Sequence, residues 1–237
     1  MKPIFAAALF LAILPALGSS VFAQSESREE LLKEIETKRT ELSALEKQFL
    51  APSDEDWLAY AEFLKQPNTG LIRLLPREVY DKDSRLTIRG GGAFYSFIRL
   101  THAYGYGSDI MLEQGQLAVG FAGADFGMLA NVGDVPIEGI TADFPPRFIT
   151  AYAPPEREPD AREEARRFQN GLTIDNLRYE RRLPARVRTT YLLRSIDYST
   201  SDVLVAFRVI RKDTDGSIII VWRLLKKYPK PELARNN

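Results

Sequence analysis

The sequence predicts an α+β protein: an N-terminal helical arm followed by a mainly antiparallel β domain, a sheet or a sandwich, with one or two short helices. Apolar residues recur at helical spacing up to residue 64, whereas turn residues and period-two alternation dominate after Gly70. A domain organisation follows from these changes: a signal peptide at 1–23, a helical arm at 24–67, the β domain at 68–228 and a tail at 229–237.

The first 23 residues have the three parts of a cleavable secretory signal peptide. Lys2 supplies a positive charge, residues 4–17 form an apolar run, and Val21-Phe22-Ala23 is a small-x-small cleavage pattern. The run is shorter than the roughly 20 residues that span a bilayer. We therefore expect cleavage after Ala23 and a secreted or periplasmic protein without a transmembrane segment once the signal is removed. An uncleaved signal anchor is the alternative.

Composition excludes several kinds of chemistry. The chain has no cysteine, which rules out disulfides, thiolate zinc sites and cysteine nucleophiles. His102 is its only histidine, which rules out mechanisms or zinc sites that need two. We therefore predict no catalytic set, no metal site and no cofactor.

The arm is predicted to begin with a helix at 25–50, opened by a capping box of Ser27 and Glu30. Its apolar residues follow heptad spacing, with Lys38 inside the seam. The seam consists of Leu31, Ile35, Leu42, Leu45 and Phe49. Two interpretations stay open: the seam pairs with a second copy as a short coiled coil, or it packs on its own domain. Ser53 is the predicted N-cap of a second helix that places Trp57 and Tyr60 in the core.

The β domain is predicted from apolar runs bounded by turn residues. The expected strands are 71–74, 86–89, 94–100, 110–113, 116–121 and 148–153, followed by a meander of 186–197, 203–211 and 217–226. Residues 94–100 are apolar on both faces and are expected in the centre of a sheet. Glu113-Gln114-Gly115-Gln116 predicts a hairpin turn. A long irregular loop is expected at 122–146, and a short helix from Asp160 to about Gln169, with Asn170-Gly171 as its stop.

Charge is unevenly distributed along a chain whose net charge is zero. Residues 24–165 hold 15 basic and 25 acidic residues, whereas residues 166–237 hold 16 basic and 7 acidic ones. Either the two halves neutralise each other within one molecule, or the basic half binds an anionic envelope polymer or lipid surface. No nucleic-acid partner is expected, because the chain is exported and carries no recognisable binding motif.

The segment from His102 to Asp109 is the most unusual local feature, and its polar and aromatic residues are the candidate ligand-binding residues. Tyr104 and Tyr106 alternate with glycine and could stack on a sugar ring, while Ser108 and Asp109 could hydrogen-bond its hydroxyl groups. His102 could act as a general base held by a carboxylate, or as a structural hydrogen-bonding residue at a strand end. Asp125 is a further candidate outside the loop. Packing of the aromatic rings under the loop is the alternative.

Three other motifs are interpreted as structural. The glycine triplet at 90–92 lacks phosphate-loop spacing and predicts a tight bend. Asp125-Phe126-Gly127 matches a kinase motif without any of its accompanying motifs, and Asp213 to Ser217 predicts a hairpin turn rather than a calcium loop.

The function expected from these observations is that of a non-catalytic, envelope-associated binding or structural domain. The alternative is an exported hydrolase that acts on glycans or esters through carboxylates such as Asp109 and Asp125. Convergence of carboxylates in a cleft is the feature that would favour the hydrolase.

Overall fold

The computed structural model describes residues 20–105 and 107–234. The predicted signal peptide at 1–23 lies largely outside the described residues and stays a prediction. The chain divides into two compact units, one up to Leu45 and one from Glu46. No helix within residues 20–105 and 107–234 is long and apolar enough to cross a membrane.

The described part of the first unit is a long helix, α1 (Ser20–Leu50), whose last turn belongs to the second unit. The predicted capping box at Ser27 is wrong, since the helix already runs through that residue. Residues 20–26 contain no proline or glycine to interrupt it. The seam side chains of Leu31, Ile35, Leu42 and Leu45 are exposed.

The second unit is built on two antiparallel sheets. The larger has seven strands in the order β1-β11-β10-β9-β5-β7-β6, and the smaller has four in the order β2-β3-β4-β8. The strands of the larger sheet are β1 (Thr69–Leu74), β5 (Phe126–Gly133), β6 (Leu172–Ile174), β7 (Leu177–Glu180), β9 (Thr189–Asp197), β10 (Ser201–Lys212) and β11 (Ile218–Lys227). Those of the smaller sheet are β2 (Phe94–Tyr95), β3 (Ile110–Glu113), β4 (Gln116–Ala118) and β8 (Arg182–Pro184).

The larger sheet buries both of its faces. Alternation along β9 and β10 sends Tyr191, Leu193, Val205 and Phe207 into a core shared with the smaller sheet. The opposite face carries Leu192, Ala206 and their neighbours and is covered by helices and loops. The helices of the second unit are α2 (Asp54–Ala59), α3 (Ala61–Leu64), α4 (Arg77–Tyr80), α5 (Arg147–Ala151), α6 (Glu158–Asn170) and a 3-10 turn at Ile137–Gly139. The predicted fold class, a helical arm followed by a mainly antiparallel β domain, is confirmed.

Several local predictions are confirmed as well. Ser53 caps α2 through a capping box with Asp56. The β3–β4 turn has Gln114 and Gly115 at positive φ, as a tight hairpin turn requires. The meander is present as β9, β10 and β11, and Gly171 ends α6.

Other predictions fail where burial overrides local pattern. Residues 94–100 are not a central strand. Only β2 is extended in this segment, and it lies at an edge of the smaller sheet. A turn follows β2 and is closed by a hydrogen bond from the Ser96 N–H to the Thr101 carbonyl oxygen. The predicted loop at 122–146 contains β5, which lies inside the larger sheet although it holds two glycines. The strand predicted at 148–153 is wrong, because α5 occupies that region. Residues 86–89 form turns rather than a strand.

The core position predicted for Trp57 is also wrong, since its side chain is 43% exposed. The helix breaks at Tyr60, which ends α2 and begins α3. This break changes which face points inward, so that Phe63 is buried instead.

Candidate functional site

Three aspartates from separate segments meet beside the end of β9. Asp197 is the last residue of β9, and Asp125 directly precedes β5, whose Phe126 pairs with Ile196. Asp109 directly precedes β3 of the smaller sheet. Antiparallel pairing thus sets Asp125 next to Asp197 in the larger sheet, while Asp109 approaches from the facing sheet.

Asp125 and Asp197 line a cleft of about 160 Å³. Its lining comprises Arg89, Tyr104, Gly105, Gly107, Ser108, Phe121, Ala122, Asp125 and Asp197. Pockets for drug-sized ligands measure roughly 300–1,000 Å³, so this cleft suits a ligand or terminal group about the size of one ring.

Asp197 is almost completely buried although it lines the cleft. Its side chain is 3% exposed, and its Oδ2 has no hydrogen-bond partner among residues 20–105 and 107–234. Burial raises the pKa of Asp197 to about 9, and the negative charges of Asp109, Asp125 and Asp202 act in the same direction. Only Arg99 among the named neighbours opposes the rise. The carboxyl group is therefore protonated at neutral pH.

Asp109 lies behind the cleft and is fully buried. Its Oδ2 accepts a hydrogen bond from the Phe97 backbone N–H at 2.7 Å. Its Oδ1 and the hydroxyl of Ser195 make no hydrogen bond of good geometry within the described part of the chain, but the side chains of Ser195 and Ser96 are near enough to Asp109 to lower its pKa. Burial raises the pKa of Asp109 to about 7, against the lowering effect of the Phe97 hydrogen bond. Asp109 therefore changes its charge near neutral pH.

Asp125 lines the cleft and also binds the β9–β10 turn through a hydrogen bond. Its Oδ1 accepts the Tyr198 backbone N–H at 2.9 Å, and burial raises its pKa. The kinase-like motif that contains Asp125 thus has a structural role here: it begins β5 and anchors the turn after β9.

Aromatic side chains form one wall of the cleft. The ring centroids of Phe94 and Tyr104 are 4.5 Å apart, and those of Phe94 and Phe121 are 5.3 Å apart. The Arg89 guanidinium lies 5.2 Å from the centroid of Tyr104. Tyr104 is therefore both a lining residue and part of the aromatic packing that the sequence offered as the alternative.

His102 lies apart from the cleft lining. Its Nε2 is 2.7 Å from the Arg73 carbonyl oxygen, and its ring packs edge-on against Tyr95 with centroids 5.0 Å apart. Burial lowers the pKa of His102, which keeps the ring neutral at pH 7. The structure thus brings Tyr104, Asp109 and Asp125 together and leaves His102 out. Tyr106 lies outside the described residues.

Sequence reasoning missed Asp197, Arg89 and Phe121, whereas Ser108, which the loop pattern already included, lines the cleft. A signal for Asp197 was present: Tyr191 and Leu193 alternate inward, and Ser195 and Asp197 continue the same face. Two polar residues that extend an apolar face at a strand end mark a position where the core meets a cleft. Arg89 and Phe121 carry no such signal, because only the fold brings them near Asp197.

The remaining motifs are structural. All three residues of the glycine triplet have positive φ, and a Cβ on Gly91 would lie 2.5 Å from the Asp81 backbone nitrogen, so the tight bend requires glycine. Asp213 and Gly216 close the β10–β11 hairpin through a 3.1 Å backbone hydrogen bond. Within the described ranges, no group of three His, Cys, Asp or Glu side chains could hold a metal ion.

Basic residues of the C-terminal half are largely paired inside the second unit. The pairs are Arg178 with Glu180, Arg182 with Glu113, Arg188 and Arg208 with Asp134, and Arg211 with Asp56 and Asp213. Arg181 instead donates to the carbonyl groups of Val119 and Gly120. These contacts are of the kind that the internal-neutralisation interpretation describes, whereas binding of an anionic polymer or lipid surface stays a prediction.

No protein-family model, curated protein or solved structure matches this chain.

Proposed function

We propose that the protein is an exported, non-catalytic, envelope-associated binding domain that holds a single sugar-sized unit of an envelope glycan in the cleft between Asp125 and Asp197. One observation carries the proposal: two aspartates and an aromatic wall share a cleft of about 160 Å³, and a buried oxygen of Asp197 is unpartnered within the described chain. Carboxyl groups bind sugar hydroxyls, and an aromatic face packs against the apolar face of a sugar ring.

Export remains part of this proposal and rests on the N-terminal sequence pattern. The polar rim supports a neutral ligand. Arg89 lines the cleft, and Arg99 lies close enough to affect the aspartates, so the negative charges have positive counterparts nearby.

Binding of monosaccharides by the chain without residues 1–23 tests the proposal. Glucose, N-acetylglucosamine and N-acetylmuramic acid would be titrated while the backbone amide signals of Gly105, Ser108 and Tyr198 are followed by NMR. We expect saturable shifts with at least one sugar, reduced about tenfold or more in affinity by Asp125→Asn. Asp143→Asn changes an exposed aspartate outside the cleft and should bind as the wild type does. Absence of shifts with every sugar at millimolar concentration would contradict the proposal.

A second candidate function is the hydrolase, which the presence of Asp125 and Asp197 in one cleft favours. Two carboxyl groups in one cleft can act as acid and base when their environments separate their pKa values. Burial raises the pKa of Asp125, and it raises that of Asp197 to about 9, so Asp197 is the candidate acid. The catalytic pair would then be Asp125 and Asp197, because Asp109 is fully buried and does not line the cleft. Release of nitrophenol from aryl glycosides and aryl esters, lost in both Asp125→Asn and Asp197→Asn, would favour hydrolysis over simple binding.

A further inference from the structure

We infer that Asp197 binds the ligand of this cleft as a hydrogen-bond donor: its protonated carboxyl group donates to an acceptor oxygen of a neutral, hydroxyl- or carbonyl-bearing ligand. This inference rests on the proposed sugar-binding function and assigns the chemistry of its central contact.

The first support is geometric. Buried polar atoms in folded proteins nearly always have a hydrogen-bond partner. Oδ2 of Asp197 is buried and has no partner in residues 20–105 and 107–234, yet its residue lines an open cleft. Oδ2 itself is buried, so a ligand that supplies its partner must contact the Asp197 side chain within the cleft.

The second support is the set of charges that act on Asp197. From the neighbouring segments these are Asp109 before β3, Asp125 before β5, Asp202 on β10 and Arg99 after β2. Asp202 lies on the opposite face of the larger sheet, where Arg194 pairs with it. Asp109 and Asp125 are therefore the carboxyl groups of this set without such a counterion in the described part of the chain, and ionisation of Asp197 would add a further negative charge beside them. Burial and these neighbours raise its pKa to about 9. The Asp197 carboxyl group is therefore protonated when a ligand binds at neutral pH, and it can donate a hydrogen bond, whereas a carboxylate could only accept one.

The third support concerns the charge of the ligand. A cation would pair with the aspartates but would pass Arg89, which lines the cleft, and approach Arg99 beside Gly107. An anion would face the carboxylate of Asp125. A neutral ligand with hydroxyl or amide oxygens is repelled by neither the guanidinium groups nor the carboxylate. One of its oxygens can accept a hydrogen bond from the protonated carboxyl group of Asp197.

The pH dependence follows from linkage. If the ligand binds only the form in which Asp197 is protonated, affinity is constant below the pKa of the free protein and falls above it by about tenfold per pH unit. A ligand that instead bound the ionised form would gain affinity as pH rises. Whether affinity falls or rises with pH therefore shows whether Asp197 donates or accepts the hydrogen bond to the ligand.

The experiment uses N-acetylglucosamine as the probe, with affinities measured by calorimetry from pH 5.5 to pH 10.5. The wild type should bind with nearly constant affinity to about pH 8 and lose affinity above about pH 9. Asp197→Asn keeps a donor that does not titrate, so it should still bind at pH 10.5, where the wild type is at least tenfold weaker. Asp197→Ala removes the donor and should bind weakly at every pH.

A direct readout accompanies the affinities. The side-chain carboxyl carbon of Asp197, assigned by its loss in Asp197→Asn, should keep the chemical shift of a protonated acid at pH 7. Its titration midpoint should move to higher pH when the sugar saturates the site.

The outcomes separate this inference from the proposed function. Binding whose affinity rises or stays constant up to pH 10.5, or an Asp197 that is ionised at pH 7, overturns the inference and leaves sugar binding in place. Failure of the sugar to bind at any pH overturns the proposed function for this ligand, and the inference with it.

Discussion

At the scale of single residues, the cluster of aspartates sets a pH limit on stability. Asp109 has a pKa of about 7 in the folded protein, raised by burial from an unfolded value of about 3.9. The folded state then binds more protons than the unfolded state between these values. The contribution of Asp109 to stability is thus complete below about pH 4 and is lost as the pH rises through 7.

Asp109→Asn should consequently raise the melting temperature at pH 8 and change it little at pH 4. The amide keeps an acceptor for the Phe97 N–H and carries no charge to bury. Differential scanning calorimetry at the two pH values measures the effect, with Asp143→Asn as an exposed control. An equal change at both values would contradict the assignment of a buried, titrating carboxyl group.

Arg194 and Asp202 form a second buried polar pair, on the opposite face of the larger sheet. The Arg194 side chain is fully buried, and its Nε and Nη2 donate to the two carboxylate oxygens of Asp202 at 2.6 and 2.8 Å. Its Nη1 donates to the Ile149 carbonyl oxygen at 2.7 Å, and its guanidinium carbon lies 3.4 Å from the centroid of the Tyr228 ring. Every part of the guanidinium therefore has a partner.

Asp202→Ala should lower the free energy of unfolding by about 3–5 kcal/mol, because it leaves a buried positive charge without a counterion. Urea unfolding at pH 7 measures the loss. The matched control is Asp160→Ala, which breaks an exposed pair with Arg157 at 3.8 Å and should cost only about 0–1 kcal/mol. Similar losses in the two variants would show that the buried pair contributes no more than a surface pair.

At the scale of elements, the open question is whether α1 mediates self-association. Its seam side chains are exposed, and Lys38 occupies a seam position where it pairs with Glu41 at 3.1 Å on the same helix. A charged residue at a coiled-coil core position weakens association. The two interpretations of the seam therefore differ in how they respond to removal of this charge.

If two copies associate through the seam, Lys38→Leu should tighten the association, and light scattering should show a larger dimer fraction at micromolar concentration. Lys33→Leu, which places the same side chain outside the seam, controls for added apolar surface. A wild type and a Lys38→Leu variant that both stay monomeric up to about 100 μM would contradict the coiled coil, for which micromolar dissociation constants are expected.

At the scale of the whole second unit, basic residues of the C-terminal half pair with acidic residues that precede residue 166. Glu113 accepts from both Arg77 and Arg182, and Asp134 accepts from both Arg188 and Arg208. Exposed pairs of this kind contribute about 0–1 kcal/mol each. Salt should therefore change the stability of the protein only slightly.

Binding to an anionic surface would respond to salt differently, because several charges would act together and be screened together. Arg186, Lys226 and Lys227 are exposed and provide the residual positive charge for such binding. Retention on phosphatidylglycerol vesicles at 20 mM salt, lost at 300 mM and weakened in a variant with these three residues changed to glutamine, would support an anionic partner. If the protein is not retained at 20 mM salt, the partner prediction is wrong and internal neutralisation suffices.

The sequence by itself determined those features that depend on local pattern. The meander of β9, β10 and β11, the N-cap at Ser53 and the glycine bend follow from alternation, capping chemistry and positive φ, which are properties of a few adjacent residues. The local pattern also indicates Tyr104, Asp109 and Asp125 as candidate ligand-binding residues.

Only the tertiary structure decided which of these residues share a site. Asp125 and Asp197 are neighbours because β5 pairs with β9, a contact between segments about 70 residues apart that no local pattern encodes. The same pairing makes a strand of the glycine-containing segment that the sequence predicted as loop, since burial between neighbouring strands outweighs weak strand propensity. The raised pKa of Asp109 arises from burial, and that of Asp197 arises from burial and from the charges of neighbouring carboxyl groups, so both exist only once the two sheets have packed together.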